Sequence, residues 1–215
     1  MKTKIFILLT VLFVSGSIVS AQIRPGVLGG VNFQNLNGKN ITGDKLTNSL
    51  IVGFHAGVNV LIPIAPEINF QPGLLFSTKG ALNKDATPDL KYKLNYLELL
   101  LNLVYRGQLG NNFVLIGFGP YLGYAINGNV MVGDEKRNIV FQNTVSSGDP
   151  LTTPYMRRFD AGANIFAGYE LSSGLFFQLN TQLGLLKINP EDQRITGDKS
   201  SVKNTGYGFS VGFRF

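Results

Sequence analysis

Seven ionisable side chains interrupt segments that otherwise alternate between apolar and small polar residues: His55, Glu67, Glu98, Arg106, Asp160, Glu170 and Arg214. Carboxylates could act as general acids or bases, and an imidazole could activate a hydroxyl held within hydrogen-bond reach. His55 is the single histidine, and cysteine is absent. The chain therefore has no thiol chemistry, no disulfide and no cluster of His and Cys to hold a metal. Its one Gly-x-Ser-x-Gly run, Gly208 to Gly212, lies inside an alternating strand and opens no helix, so it is not a nucleophile elbow. The glycines at Gly117, Gly119 and Gly123 lack dinucleotide-binding spacing. No catalytic, cofactor-binding or metal-binding residue is predicted, and the chain does not read as an enzyme. Charges on the inner face of a narrow fold must be paired or hydrogen-bonded. Glu67, Glu98, Arg106, Asp160, Glu170 and Arg214 are predicted to form such an interior polar network. Within it, Glu67 should sit near Arg106, and Glu170 near Arg214, all at one mouth.

The elements that carry these charges alternate with period two, as strands with two unlike faces do. At the C-terminus Tyr207, Phe209, Val211, Phe213 and Phe215 share one phase, against Gly206, Gly208, Ser210, Gly212 and Arg214. Leu97, Leu99, Leu101, Leu103 and Tyr105 oppose Tyr96, Glu98, Asn102 and Arg106. Val114, Ile116, Phe118, Leu122, Tyr124 and Ile126 oppose Gly117, Gly119, Tyr121, Gly123 and Asn127. Eight segments behave this way, beginning near Val27, Leu50, Ile68, Leu97, Val114, Phe159, Leu175 and Tyr207. None carries a charge in its apolar phase. A lipocalin-like barrel would turn the apolar phase inward around a ligand and show Lys and Glu outside. Here the polar phase is mostly Gly, Asn, Gln and Ser, which suits a cramped interior. The apolar phase is therefore assigned to lipid, with Tyr105, Tyr169 and Tyr207 near strand ends as girdle residues.

Composition agrees. Charged residues make up 15% of the 215 and hydrophobic ones 44%, against about 25% charged in a typical soluble domain. Past the N-terminal region, no run of about 20 apolar residues could form a spanning helix. A closed barrel is the other way to cross a bilayer with every backbone group paired. Residues 1–21 read as an export leader: Lys2 and Lys4, then Ile5 to Val14, then Val19-Ser20-Ala21 before cleavage. The domain then spans 22–215. Without Lys2 and Lys4 the formal charge falls from +6 to +4, with no basic run to suggest nucleic acid.

Connections alternate long and short. The long ones are read at 37–49, 79–91, 128–157 and 187–205, and the short ones at 63–66, 106–112 and 172–174. Short periplasmic turns and long external loops are the pattern of outer-membrane barrels. Pro72 and Pro120 fall within strands, where bulges are predicted to absorb the lost donors. Met131 to Val145, with Ile139 and Phe141, predicts a hairpin extending the barrel outward. The loop at 128–157 is longer than a turn needs, so it offers a surface for a protein partner.

Four motifs in order resemble the PorT-like outer-membrane β-barrel family common in Bacteroidota. They are Tyr96-Leu97-Glu98, Gly119-Pro120-Tyr121-Leu122-Gly123-Tyr124, Phe159-Asp160-Ala161-Gly162 with Gly168-Tyr169-Glu170-Leu171, and the terminal Gly208 to Phe215. The last is similar to the signal that barrel-insertion machinery reads, on Phe209, Val211, Phe213 and Phe215. The resemblance implies an eight-stranded antiparallel up-and-down barrel in outer-membrane lipid, and little about activity. A structural or interaction role in the envelope is expected. A narrow channel or a component of a secretion apparatus is the first alternative, and a secreted ligand-binding barrel the second.

Overall fold

The computed structural model describes residues 23–84 and 86–215. The expected leader at 1–21 lies outside the described residues. Eight strands run in chain order: β1 Arg24–Lys39, β2 Ile51–Ala65, β3 Ile68–Asn83, β4 Leu90–Leu109, β5 Asn112–Val132, β6 Phe159–Glu170, β7 Leu175–Gly184 and β8 Ser201–Arg214. Each pairs antiparallel with its neighbour in sequence, and β8 returns to β1 from Gly26↔Arg214 to Lys39↔Ser201. The sheet is thus a closed up-and-down barrel. Among the described residues no helix is long and apolar enough to cross a membrane. Strands are the elements available to do so, and closure leaves the barrel wall no unpaired edge.

The two phases separate as the residue types require. Phe118, Leu122 and Leu179 face outward and are 53–65% exposed, while Tyr96, Val104 and Tyr121 on the inner phase are 0% exposed. A soluble barrel with its greasy residues gathered round a ligand is overturned by this placement. The inner phase is not purely polar, because Leu61, Val104, Leu115 and Phe166 form a buried apolar cluster inside the tube. Interior glycines make room for it. Phe166 lies across its register partner Gly117, and Phe176 across Gly212; a Cβ on either glycine would come within 2.2 Å of the ring.

The prolines are accommodated differently from the bulges predicted for them. At Pro72 the β2–β3 ladder skips from Asn59↔Gly73 to Ile62↔Phe70 without changing register. At Pro120 the β4–β5 ladder skips from Leu100↔Tyr121 to Leu103↔Phe118, again in register. A missing donor needs only a gap in the ladder, whereas a bulge would reverse every later side chain. The register shift on this hairpin falls elsewhere, between Asn95↔Asn127 and Tyr96↔Ala125, leaving Ile126 as an extra residue on β5. Asn127, assigned inward from its phase, therefore stands outside and accepts a hydrogen bond from Asn95 at 2.7 Å.

The long and short connections keep their order, but β3, β4 and β5 outrun expectation. β4 and β5 have 20 and 21 residues, about twice what a tilted crossing needs. The segment read as a loop from Lys79 is strand to Asn83. Beyond β5, Glu135–Asn138 folds back on Asn129–Val132 as the predicted hairpin. The rest of that loop is tied down by parallel pairs, Val140–Phe141 with Tyr155–Met156 and Thr144–Val145 with Glu191–Asp192.

Leu99, half-way along β4 on the outer face, tests the assignment of phases. Leu99→Arg should lower the unfolding free energy in lipid by about 2–4 kcal/mol. A nitroxide at 99 should be reached by dissolved oxygen and not by an aqueous nickel complex. A water-accessible label there would refute the orientation.

Candidate functional site

One strand reads out the lumen from end to end. Along β4 the inward residues, from the long-loop end, are Leu94, Tyr96, Glu98, Leu100, Asn102, Val104 and Arg106. Each marks a level of the filling.

At the top, Leu94 joins Leu36, Ala81, Val130, Ile139, Met156 and Ile188 in an apolar plug. Ile139, Met156 and Ile188 come from the connections 133–158 and 185–200, so the loops close the mouth of their own barrel. Below lies a charged level. Lys79 Nζ sits 2.5 Å from Glu98 Oε1 and 3.2 Å from Asp160 Oδ2, with all three side chains at most 1% exposed. The ammonium also lies 4.2 Å from the Tyr121 ring centroid. Tyr121 Oη and Asn204 Nδ2 donate to Asp160 Oδ2 at 3.1 and 2.9 Å, and Gln182 Nε2 donates to Glu98 at 3.0 Å.

The middle level is a hydrogen-bonded amide layer around His55. Its Nδ1 is 2.6 Å from Asn32 Oδ1 and its Nε2 2.7 Å from Ser210 Oγ. With the amide oxygen as acceptor, Nδ1 carries the proton and Nε2 accepts from the serine. Hydroxyl, base and orienting group thus stand in the order that nucleophilic activation uses. The space they line is about 40 Å³, room for a few waters. The flanking ladders occupy the backbone N–H groups that an oxyanion hole would need. The arrangement is a hydrogen-bonded core. Asn32 and Asn180 extend it to Ser77 and back to Ser210 at 3.1 and 3.2 Å.

Below the apolar cluster lies a second charged level at the short-turn mouth. Glu170 Oε1 accepts from Arg24 Nη1 at 2.7 Å and Arg106 Nη2 at 2.9 Å, and its Oε2 accepts from Arg214 Nε at 3.0 Å. Arg106 stacks on the Phe113 ring, and Arg214 Nη1 reaches Asn59 Oδ1 at 3.2 Å.

The six network residues therefore divide three ways. Asp160 and Glu98 share the upper level, and Arg106, Glu170 and Arg214 the lower. Glu67 belongs to neither, a correction to the expected pairing with Arg106. It occupies the β2–β3 turn at φ 61°, exposed, within hydrogen-bonding range of Tyr105. What binds Arg106 there is the Glu67 carbonyl, which accepts its backbone N–H at 2.7 Å. Two further members lie outside the expected six. Lys79 falls in the segment read as loop, although Ser77 and Lys79 continue the inward phase of β3. Arg24 lies just ahead of Val27, the first residue of the alternation in β1. At the C-terminus Phe209, Val211, Phe213 and Phe215 all face outward.

A lipid-coated meander with a filled, charge-paired lumen defines a class, the small integral β-barrels of outer-membrane type. Residues 20–189 match the model of the outer membrane protein beta-barrel domain, and the chain belongs to that family. The fold is similar to the outer membrane protein OprG of Pseudomonas aeruginosa, at 13% identity and TM-score 0.55 over 91% of this chain and 96% of that one. It also resembles a major outer membrane protein of Thermus thermophilus, at 14% identity and TM-score 0.48 over 90% and 100% of the two chains. Identities this low speak for the fold alone. No protein of curated function matches. The protein is an outer-membrane β-barrel.

The upper charged level can be tested by removing its cation. Lys79→Met leaves Glu98 and Asp160 buried without their partner and should cost about 3–5 kcal/mol of unfolding free energy in guanidinium titrations. Adding Glu98→Gln and Asp160→Asn should recover most of that loss, because no uncompensated charge remains. Equal midpoints for Lys79→Met and wild type would show that the level contributes nothing.

Proposed function

We propose that this barrel is a non-conducting structural or docking component of the envelope. The observation that carries the reading is the filling of the lumen at every level, ending in a plug made from the protein's own loops. A solute would have to displace the Ile139–Met156–Ile188 plug, the Lys79 level, the apolar cluster and the arginines in turn. An eight-stranded tube is only wide enough for side chains to fill.

In this reading the short turns face the periplasm and the long loops the exterior, because every short connection is at the end where both termini of the barrel lie. The loop at 133–158, tied down by its parallel pairs, offers a fixed surface to a protein partner. The leader would be removed after Ala21, and the outward Phe209, Val211, Phe213 and Phe215 would address the chain to the barrel-insertion machinery. The four sequence motifs support a place among the PorT-like barrels within the wider family. A part in a secretion apparatus would then show as a secretion defect on deleting the gene.

Planar-bilayer recording of the refolded, leaderless protein decides between plug and channel. The expected trace is flat at 100 mV across ~1 M salt, conditions in which open barrels give discrete steps. Reproducible single-channel steps would overturn the proposal.

A further inference from the structure

The short-turn mouth holds more cation than it can use. Three guanidinium groups, Arg24, Arg106 and Arg214, converge on one carboxylate, Glu170. Three positive charges against one negative leave a formal +2. Both oxygens of Glu170 are taken. Among the described residues no other carboxylate forms an ion pair with any of the three. Unpaired cations in a low-dielectric tube are costly, and the cost is relieved by an anion. The cluster is also under-bonded, since Nε of Arg106 and Nη2 of Arg214 are buried and donate to no protein acceptor.

Arg106 is the member placed to receive a ligand. Its guanidinium is fixed on one face by the Phe113 ring, 3.1 Å from the centroid, and at Nη2 by Glu170. It lines a cavity of about 340 Å³ at the mouth, with Asn69, Gln108 and Phe113, and with Pro63, Ala65, Pro66 and Glu67 at the β2–β3 turn. Guanidinium donors held rigid pair well with carboxylate and phosphate oxygens. The amide nitrogens of Asn69 and Gln108 each donate once to a backbone carbonyl, of Glu67 at 3.4 Å and of Gly110 at 3.0 Å, and each keeps a second N–H beside the cavity. One residue of the lining opposes an anion, Glu67, whose carboxylate charge lies at the same mouth.

We infer that the short-turn mouth is a binding site for a small soluble oxyanion, phosphate or a carboxylate, held by Arg106 with the excess charge of Arg24 and Arg214 behind it. The site is entered from the aqueous side through the turns and needs no passage through the lumen. It therefore stands whether or not the barrel conducts.

The test is isothermal titration of the refolded barrel, in a maltoside detergent free of phosphate and at ~0.15 M chloride, with inorganic phosphate and with acetate. Saturable binding near one equivalent is expected for at least one of them. Arg106→Gln should weaken it about tenfold, the worth of one charge-assisted hydrogen bond. Glu67→Gln should tighten it by roughly threefold or more, because a repelling charge leaves the rim. Glu67 lies on an exposed turn, so that variant reports on the site even if changes at Arg106 disturb folding. Three results would overturn the inference: no saturation by either anion, equal affinities in wild type and Glu67→Gln, or binding confined to phosphatidylglycerol micelles with none to the free anions. The first two mean an adventitious ion only, and the third a lipid site.

Discussion

Backbone pairing in a medium without water is the constraint on which the rest of this structure depends. Each N–H and C=O within hydrocarbon must find a partner in the protein, at a cost of several kcal/mol for each failure. A meander meets that demand only if its last strand returns to its first, as β8 does along β1 from Gly26 to Lys39. Closure then dictates the rest. Alternate side chains must point into the tube, and eight strands leave a bore that side chains fill. Any charge placed there must find its counter-charge across the lumen. The two tolerated prolines obey the same logic, because each leaves a local gap in one ladder while the register, and with it every side-chain direction, is kept.

The interior charges are sorted by height. Lys79 with Glu98 and Asp160 gives a formal −1 beneath the loop plug, and the arginines with Glu170 give +2 at the opposite mouth. Between them lie the neutral amide layer around His55 and an apolar cluster. Water reaches the two ends differently. The upper level is sealed and Lys79 touches both carboxylates, as buried charges must be paired. The lower level is partly open, with Arg24 and Arg106 side chains 26% and 17% exposed, so excess charge there can be borne and offered to a ligand. In the Ser210–His55–Asn32 chain small hydroxyl, imidazole and amide groups satisfy one another in a cramped polar core.

Glu170 with Arg214 illustrates how far residue type and spacing reach: both lie at strand ends near the short turns, so phase and end position together bring them to one mouth. Glu67 shows the limit. Its phase counted inward, yet one residue of strand boundary placed it on the rim, because a turn residue at positive φ no longer follows the pleat. Lys79 failed in the opposite sense. A lysine after Ser77 and Thr78 reads as the start of a loop, and nothing local reveals that β3 continues to Asn83 with one carboxylate waiting on the neighbouring strand, Glu98, and another farther round the tube, Asp160. Asn127 was misplaced by a bulge whose position depends on how β4 and β5 fit together.

By itself the sequence determined the strand number, the outward face and the closed barrel, since period-two alternation, scarce charge and the rhythm of connections are local properties written along the chain. Tertiary structure alone decided that Lys79 meets Glu98 and Asp160, that the loops plug their own mouth, and that Arg24 and Arg106 join Arg214 on one carboxylate. Those contacts join residues up to 146 positions apart. They are set by the stagger of the strands around the barrel, which no single segment encodes.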